Sequence, residues 1–257
     1  REVNWGNHEY DTTNQLLMQF ARTGDPRYFY AADAAARHST EVDTVHSVNG
    51  ELAEYFLACT PIKYPSFPPR PGMVHAHSLG HVGSFYPLKR IEELFVEKQV
   101  EGDNPHPHLC LEPFHVCHIF VQGTVRAYGL TGDPFLKETA LRICNNLAQL
   151  VEDRQFEFMN DDPHCGRTTG WPLLALAAAY ELDGDSRYLR AMKTLVDDAL
   201  VQQDPNCGGW LYSLYPGHCL CVKAKHVGMA GFITSVLVNG MSRYYRLSGD
   251  ERLPEAI

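Results

Sequence analysis

The side chains of this 257-residue chain that are suited to chemistry gather in short stretches. They read Asn4-Trp5-Gly6-Asn7-His8-Glu9-Tyr10-Asp11-Thr12, His75-Ala76-His77-Ser78-Leu79-Gly80-His81 and Glu112-Pro113-Phe114-His115-Val116-Cys117-His118. Two more follow, Cys165-Gly166-Arg167-Thr168-Thr169-Gly170-Trp171 and Lys223-Ala224-Lys225-His226. Carbohydrate sites use this mixture, with aromatic faces for sugar C–H surfaces and charged groups for hydroxyls and carboxylates. Arg167 is the leading candidate for holding a carboxylate, since a guanidinium matches two carboxylate oxygens at once; the alternative is a structural ion pair. The expected substrate contacts are Trp5, Glu9, His77, Trp171, Lys225 and His226.

Each stretch also has a plainer reading. His8, Tyr10 and Asp11 serve equally well to cap and wedge a first helix. His77 and His81 share a face if that segment is helical, as two metal ligands would, but Gly80 and Gly83 interrupt a regular helix and no HExxH pattern accompanies them. Cys219 and Cys221 lack a second pair at zinc-finger spacing. No metal and no cofactor is therefore expected. His106 and His108, set among Pro105 and Pro107, read as a loop, and Lys225-His226 also reads as a solvated helix entry.

A repeat positions these stretches. An aromatic residue, a few others and then Gly-Asp recur as Phe20…Gly24-Asp25, Tyr128…Gly132-Asp133, Tyr180…Gly184-Asp185 and Tyr245…Gly249-Asp250. Glycine after one helix supplies a left-handed cap, and the following Asp caps the next helix. The interval from Gly24 to Gly132 is about twice the later ones, which predicts a degenerate copy between Met73 and Leu94. After the second turn, Leu136, Ala140, Ile143, Cys144, Leu147, Leu150 and Val151 form an apolar stripe of helical period; after the third, Leu189, Met192, Leu195, Val196 and Ala199 do. The segments before the turns, such as Leu173 to Tyr180 and Val227 to Tyr245, are apolar nearly all round, as helices buried on every side are.

Buried inner and amphipathic outer helices predict an all-α fold, an (α/α) toroid, over residues 1–257 as a single domain. About five hairpins fit, an incomplete ring, so the chain is expected to be a fragment of a larger multidomain protein. A straight helical solenoid shares the repeat logic. If the inner helices run in parallel, the polar stretches gather at one rim.

Composition narrows the classes. The formal net charge of -9 argues against a dedicated nucleic-acid binder, while a local basic cleft still accepts an anionic sugar. The longest apolar stretch, Val227 to Met241, is shorter than the ~20 residues a bilayer requires, so no membrane partner is expected. The eight cysteines are too dispersed for a disulfide scaffold, and Cys144 reads as core filling. The chain begins at Arg1 with no signal peptide, as a processed chain or a cut domain would.

At the opening stretch through Thr12, the Ala21-Arg22-Thr23-Gly24-Asp25 turn, the His38 to His46 stretch, the His75 to His81 segment and the His115 to Asp133 region, the sequence resembles the C-terminal toroid of exo-rhamnogalacturonan lyases, polysaccharide lyase family 26. The resemblance implies β-elimination at a galacturonate unit of rhamnogalacturonan or a related acidic glycan. It also implies a secreted or periplasmic setting and companion β-domains or other chains outside this sequence. On that reading Arg167, with Lys225, neutralises the carboxylate, His115 or His81 is the base, and Tyr10 or His8 protonates the leaving oxygen. Two other classes fit the same elements. One is a glycoside hydrolase on unsaturated uronyl sugars, for which Glu9, Asp11 and Glu112 are the acids near the rim. The other is a non-catalytic helical module that binds glycan or builds an extracellular assembly.

Overall fold

The computed structural model describes residues 10–47, 70–74, 116–154, 165–214 and 226–257. The described chain is mostly helical with almost no strand, in agreement with the all-α expectation. Its helices are α1 (Thr12–Thr23), α2 (Pro26–Arg37), α3 (Gln122–Thr131), α4 (Pro134–Glu152), α5 (Cys165–Asp183), α6 (Ser186–Gln202), α7 (Gly231–Ser248) and α8 (Leu253–Ala256). One two-stranded antiparallel ladder, β1 (Tyr212–Ser213) with β2 (Val227–Gly228), pairs Tyr212 with Gly228 and Ser213 with Val227. The chain divides into two compact units, residues 1–146 and 147–257.

The four Gly-Asp phrases fold into four copies of one joint. Gly24, Gly132, Gly184 and Gly249 have φ of 70°, 71°, 76° and 69°, the left-handed region that a side chain disfavours. Their N–H groups close the preceding helix on the carbonyls of Phe20, Tyr128, Tyr180 and Tyr245 at 2.7–2.8 Å. Asp25, Asp133 and Asp185 then accept the N–H two residues ahead, satisfying an otherwise orphaned donor of the next helix, while Asp250 accepts the N–H of Arg252, just before α8. The residue before each glycine completes the joint: Thr23, Thr131, Asp183 and Ser248 accept the N–H of that Asp through their side chains. The degenerate copy expected between Met73 and Leu94 lies almost wholly outside the described residues.

In unit 1 the N-terminal ends of α1 and α3 lie side by side: a Cβ on Gly123 would come within 2.4 Å of Asn14 N and of the Asp11 carboxylate. Leu17 of α1 and Ala127 of α3 share an apolar cluster with Ala32, Ala36 and Leu136. In unit 2, α5 and α7 are parallel at backbone contact. Gly166 meets Ile233, Gly170 meets the Val236–Leu237 backbone, and Gly240 meets Gly170 O and Leu173. Both partner positions advance together along the two helices. Glycine is required here for proximity rather than for its dihedral freedom. Within each unit, then, the two helices that precede a Gly-Asp joint run in the same direction.

The α4 stripe is buried as expected, Cys144 included. On α6 the buried residue after the turn is Tyr188 rather than Leu189, because its register turns Tyr188, Met192, Leu195 and Val196 inward. α5 is buried from Gly166 to Ala179. The Val227–Tyr245 segment departs from expectation. It opens as strand β2, and α7 is amphipathic, burying Ile233, Val236, Leu237, Gly240, Met241 and Tyr244 while leaving Phe232 and Tyr245 exposed. Its buried stripe packs mainly on α5, with further contacts to α6 and α8. No described helix is long and apolar enough to cross a membrane.

The two roles of glycine separate by mutation. Gly184→Ala meets no atom within 4 Å, so it carries only the left-handed penalty, about 1–2 kcal/mol. Gly170→Ala drives a Cβ to 2.6 Å from backbone and is expected to destabilise by about 3 kcal/mol or more. Urea unfolding of both variants checks the order, and equal losses contradict it.

Candidate functional site

Among the described residues, unit 1 carries most of the buried polar groups. The chain enters α1 through two consecutive left-handed residues, Tyr10 (φ 56°) and Asp11 (φ 57°), a conformation costing about 1–2 kcal/mol per non-glycine residue. Asp11 offsets that strain: one carboxylate oxygen accepts Asn14 N at 3.1 Å and the other accepts Gly123 N at 3.0 Å. The same side chain therefore caps α1 and ties it to the start of α3. Burial raises its carboxyl from the ordinary 3.8 to about 6, against the opposing pull of the Gly123 and Asn14 N–H groups and of Arg126. Of the sequence alternatives for Asp11, the cap is the one observed.

Beyond α2 the helix widens into a π-helical turn, His38–Val42, of the kind that recurs at functional sites. It is clipped in place by His46, whose Nε2 donates to Thr40 O and whose Nδ1 accepts from Arg142 at 2.7 Å. That pair of bonds sets the tautomer, with the proton on Nε2. Residues 44–46 pair with 72–74 through a Thr44–Val74 bridge and hydrogen bonds linking Val45 to Gly72 and Met73. Gly72, at φ 93°, lies directly on Arg142 O, and Arg70 Nε donates to Asn146 at 2.5 Å.

These pieces border a small recess lined by Ser39, Thr40, Asp43, Thr44, His118, Phe120 and Thr124, with Val74 and Ile143 as apolar walls. Asp43 is 2% and His118 1% exposed. His38 Nε2 lies 3.7 Å from Asp43 Oδ1. His118 meets Phe120 edge-on, ring centroids 6.1 Å apart. The histidine-rich segments of the sequence adjoin this recess in chain order: Val74 precedes His75, and His118 follows His115.

Unit 2 holds the other predicted residues that are described. Arg167 and Trp171 are both buried on the first turns of α5. The Arg167 guanidinium carbon lies 5.7 Å from the centroid of the Phe232 ring, a cation–π arrangement, and Phe232 itself is half-exposed at the start of α7. His226 is exposed and its carbonyl accepts Leu214 N at 2.9 Å, continuing the β1–β2 ladder. Val227, Met229 and Leu211 are exposed on the same hairpin.

The structure therefore brings Arg167, Trp171 and His226 into unit 2 and keeps Tyr10 in unit 1. Trp5, His8, Glu9, His77, His81, His115 and Lys225 lie outside the described residues. Sequence reasoning missed Phe232 and the Asp43–His118 recess. Phe232 had a readable signal, an aromatic directly after Gly231 at a helix entry, as Trp171 follows Gly170. Asp43 had none, because its burial depends on α3 and α4. Among the described residues no group of three or more His, Cys, Asp or Glu could hold a metal ion.

The raised Asp11 carboxyl has a signed consequence. Its contribution to stability is fully present below its ordinary 3.8 and is lost as pH rises through about 6. The melting temperature of the native chain, measured against Asp11→Asn, is thus expected to fall between pH 4 and pH 7; a difference that grows over that range contradicts the assignment. Comparison with known proteins finds no matching family, no matching curated protein and no matching solved structure.

Proposed function

We propose that this chain is a carbohydrate-active helical toroid whose chemistry is β-elimination on a uronate-containing polysaccharide such as rhamnogalacturonan. The observation that carries the reading is Arg167: a permanent cation, 7% exposed, seated under the half-exposed Phe232 where two parallel inner helices begin. An aromatic face over a guanidinium suits a sugar ring bearing a carboxylate. The four identical joints and the shared direction of inner helices within each unit support the ring architecture.

The chemistry follows from the substrate. Removing the proton on C5 of a uronate sends charge into the adjacent carboxylate, and the barrier is the energy of that enolate-like state. Arg167, donating two parallel hydrogen bonds, neutralises the carboxylate and stabilises that charge as it develops. A base accepts the proton, the C4–O bond breaks as the C4=C5 double bond forms, and an acid returns a proton to the departing oxygen. The sequence candidates for the base are His115 and His81, and for the acid Tyr10 and His8. The hydrolase reading is weakened by Asp11, one of its three acids, which is committed to two backbone N–H groups.

Incubation with pectic and other uronate polysaccharides, followed in the ultraviolet band of the unsaturated product, tests the proposal. Turnover is expected on a uronate backbone and should fall about 10²–10³-fold in Arg167→Ala. Arg167→Lys should restore only part of it, because an ammonium cannot reproduce the planar fork. Reducing ends without ultraviolet absorbance indicate hydrolysis. Binding without either signal indicates a non-catalytic glycan module.

A further inference from the structure

We draw no further inference here: the strongest candidate, the exposed apolar patch of Leu211, Val227 and Met229 on the β1–β2 hairpin of unit 2, carries nothing because nothing in the structure shows what covers it.

Discussion

A left-handed glycine followed by a capping aspartate is the constraint on which the described structure depends. At Gly24, Gly132, Gly184 and Gly249 one helix ends with φ near 70°, and the Asp that follows accepts the N–H two residues ahead, beginning the next helix at the first three. The joint is local, so it forms from neighbours in sequence and does not wait for tertiary contacts. It recurs four times, each time between one helix and the next. The segments that follow the joints are tied to neighbouring elements by charged pairs, Arg37 with Asp133 in unit 1, and Arg187 with Glu152 and Arg252 with Asp197 in unit 2. Those pairs are solvent-exposed and contribute little each. Among the described residues, apolar burial is prominent in the stripes of α4 and α6 and in the glycine-mediated contact of α5 with α7.

Much of the fold was legible because its determinants are short-range. The joints, the α4 stripe and the burial of α5 all follow from patterns within about twenty residues. What escaped depends on residues far apart in the chain. The clip between His46 and Arg142 joins positions separated by 96 residues, and the bond from Asp11 to Gly123 spans 112. No window of sequence contains both partners. The π-turn is illegible for a related reason: His38–Val42 has nothing in its composition that separates it from a helix end, and the Thr40 carbonyl finds its partner in His46.

The candidate site divides along the same line. Arg167 and Trp171 stood out by residue type, and the structure adds what type cannot show, that both are buried and that Phe232 covers the guanidinium. Asp11 illustrates the opposite outcome. As a carboxylate beside Tyr10 and Glu9 it read equally as chemistry or as a cap, and two backbone N–H groups make it a cap. Its burial is nonetheless costly, which is why its carboxyl is pushed up to about 6. The recess around Asp43 and His118 follows the same rule: buried polar groups persist where hydrogen bonds and geometry compensate their lost hydration.

The central claim is that Arg167 recognises a carboxylate on a sugar. Its most direct test is calorimetric binding of a uronate oligosaccharide and of the same oligosaccharide with its carboxyl groups reduced to alcohols, to the full chain and to Arg167→Ala. The account predicts that the acidic form binds the native chain at least about tenfold more tightly than the reduced form, and that Arg167→Ala abolishes the difference. Equal affinity of the native chain for both forms contradicts it.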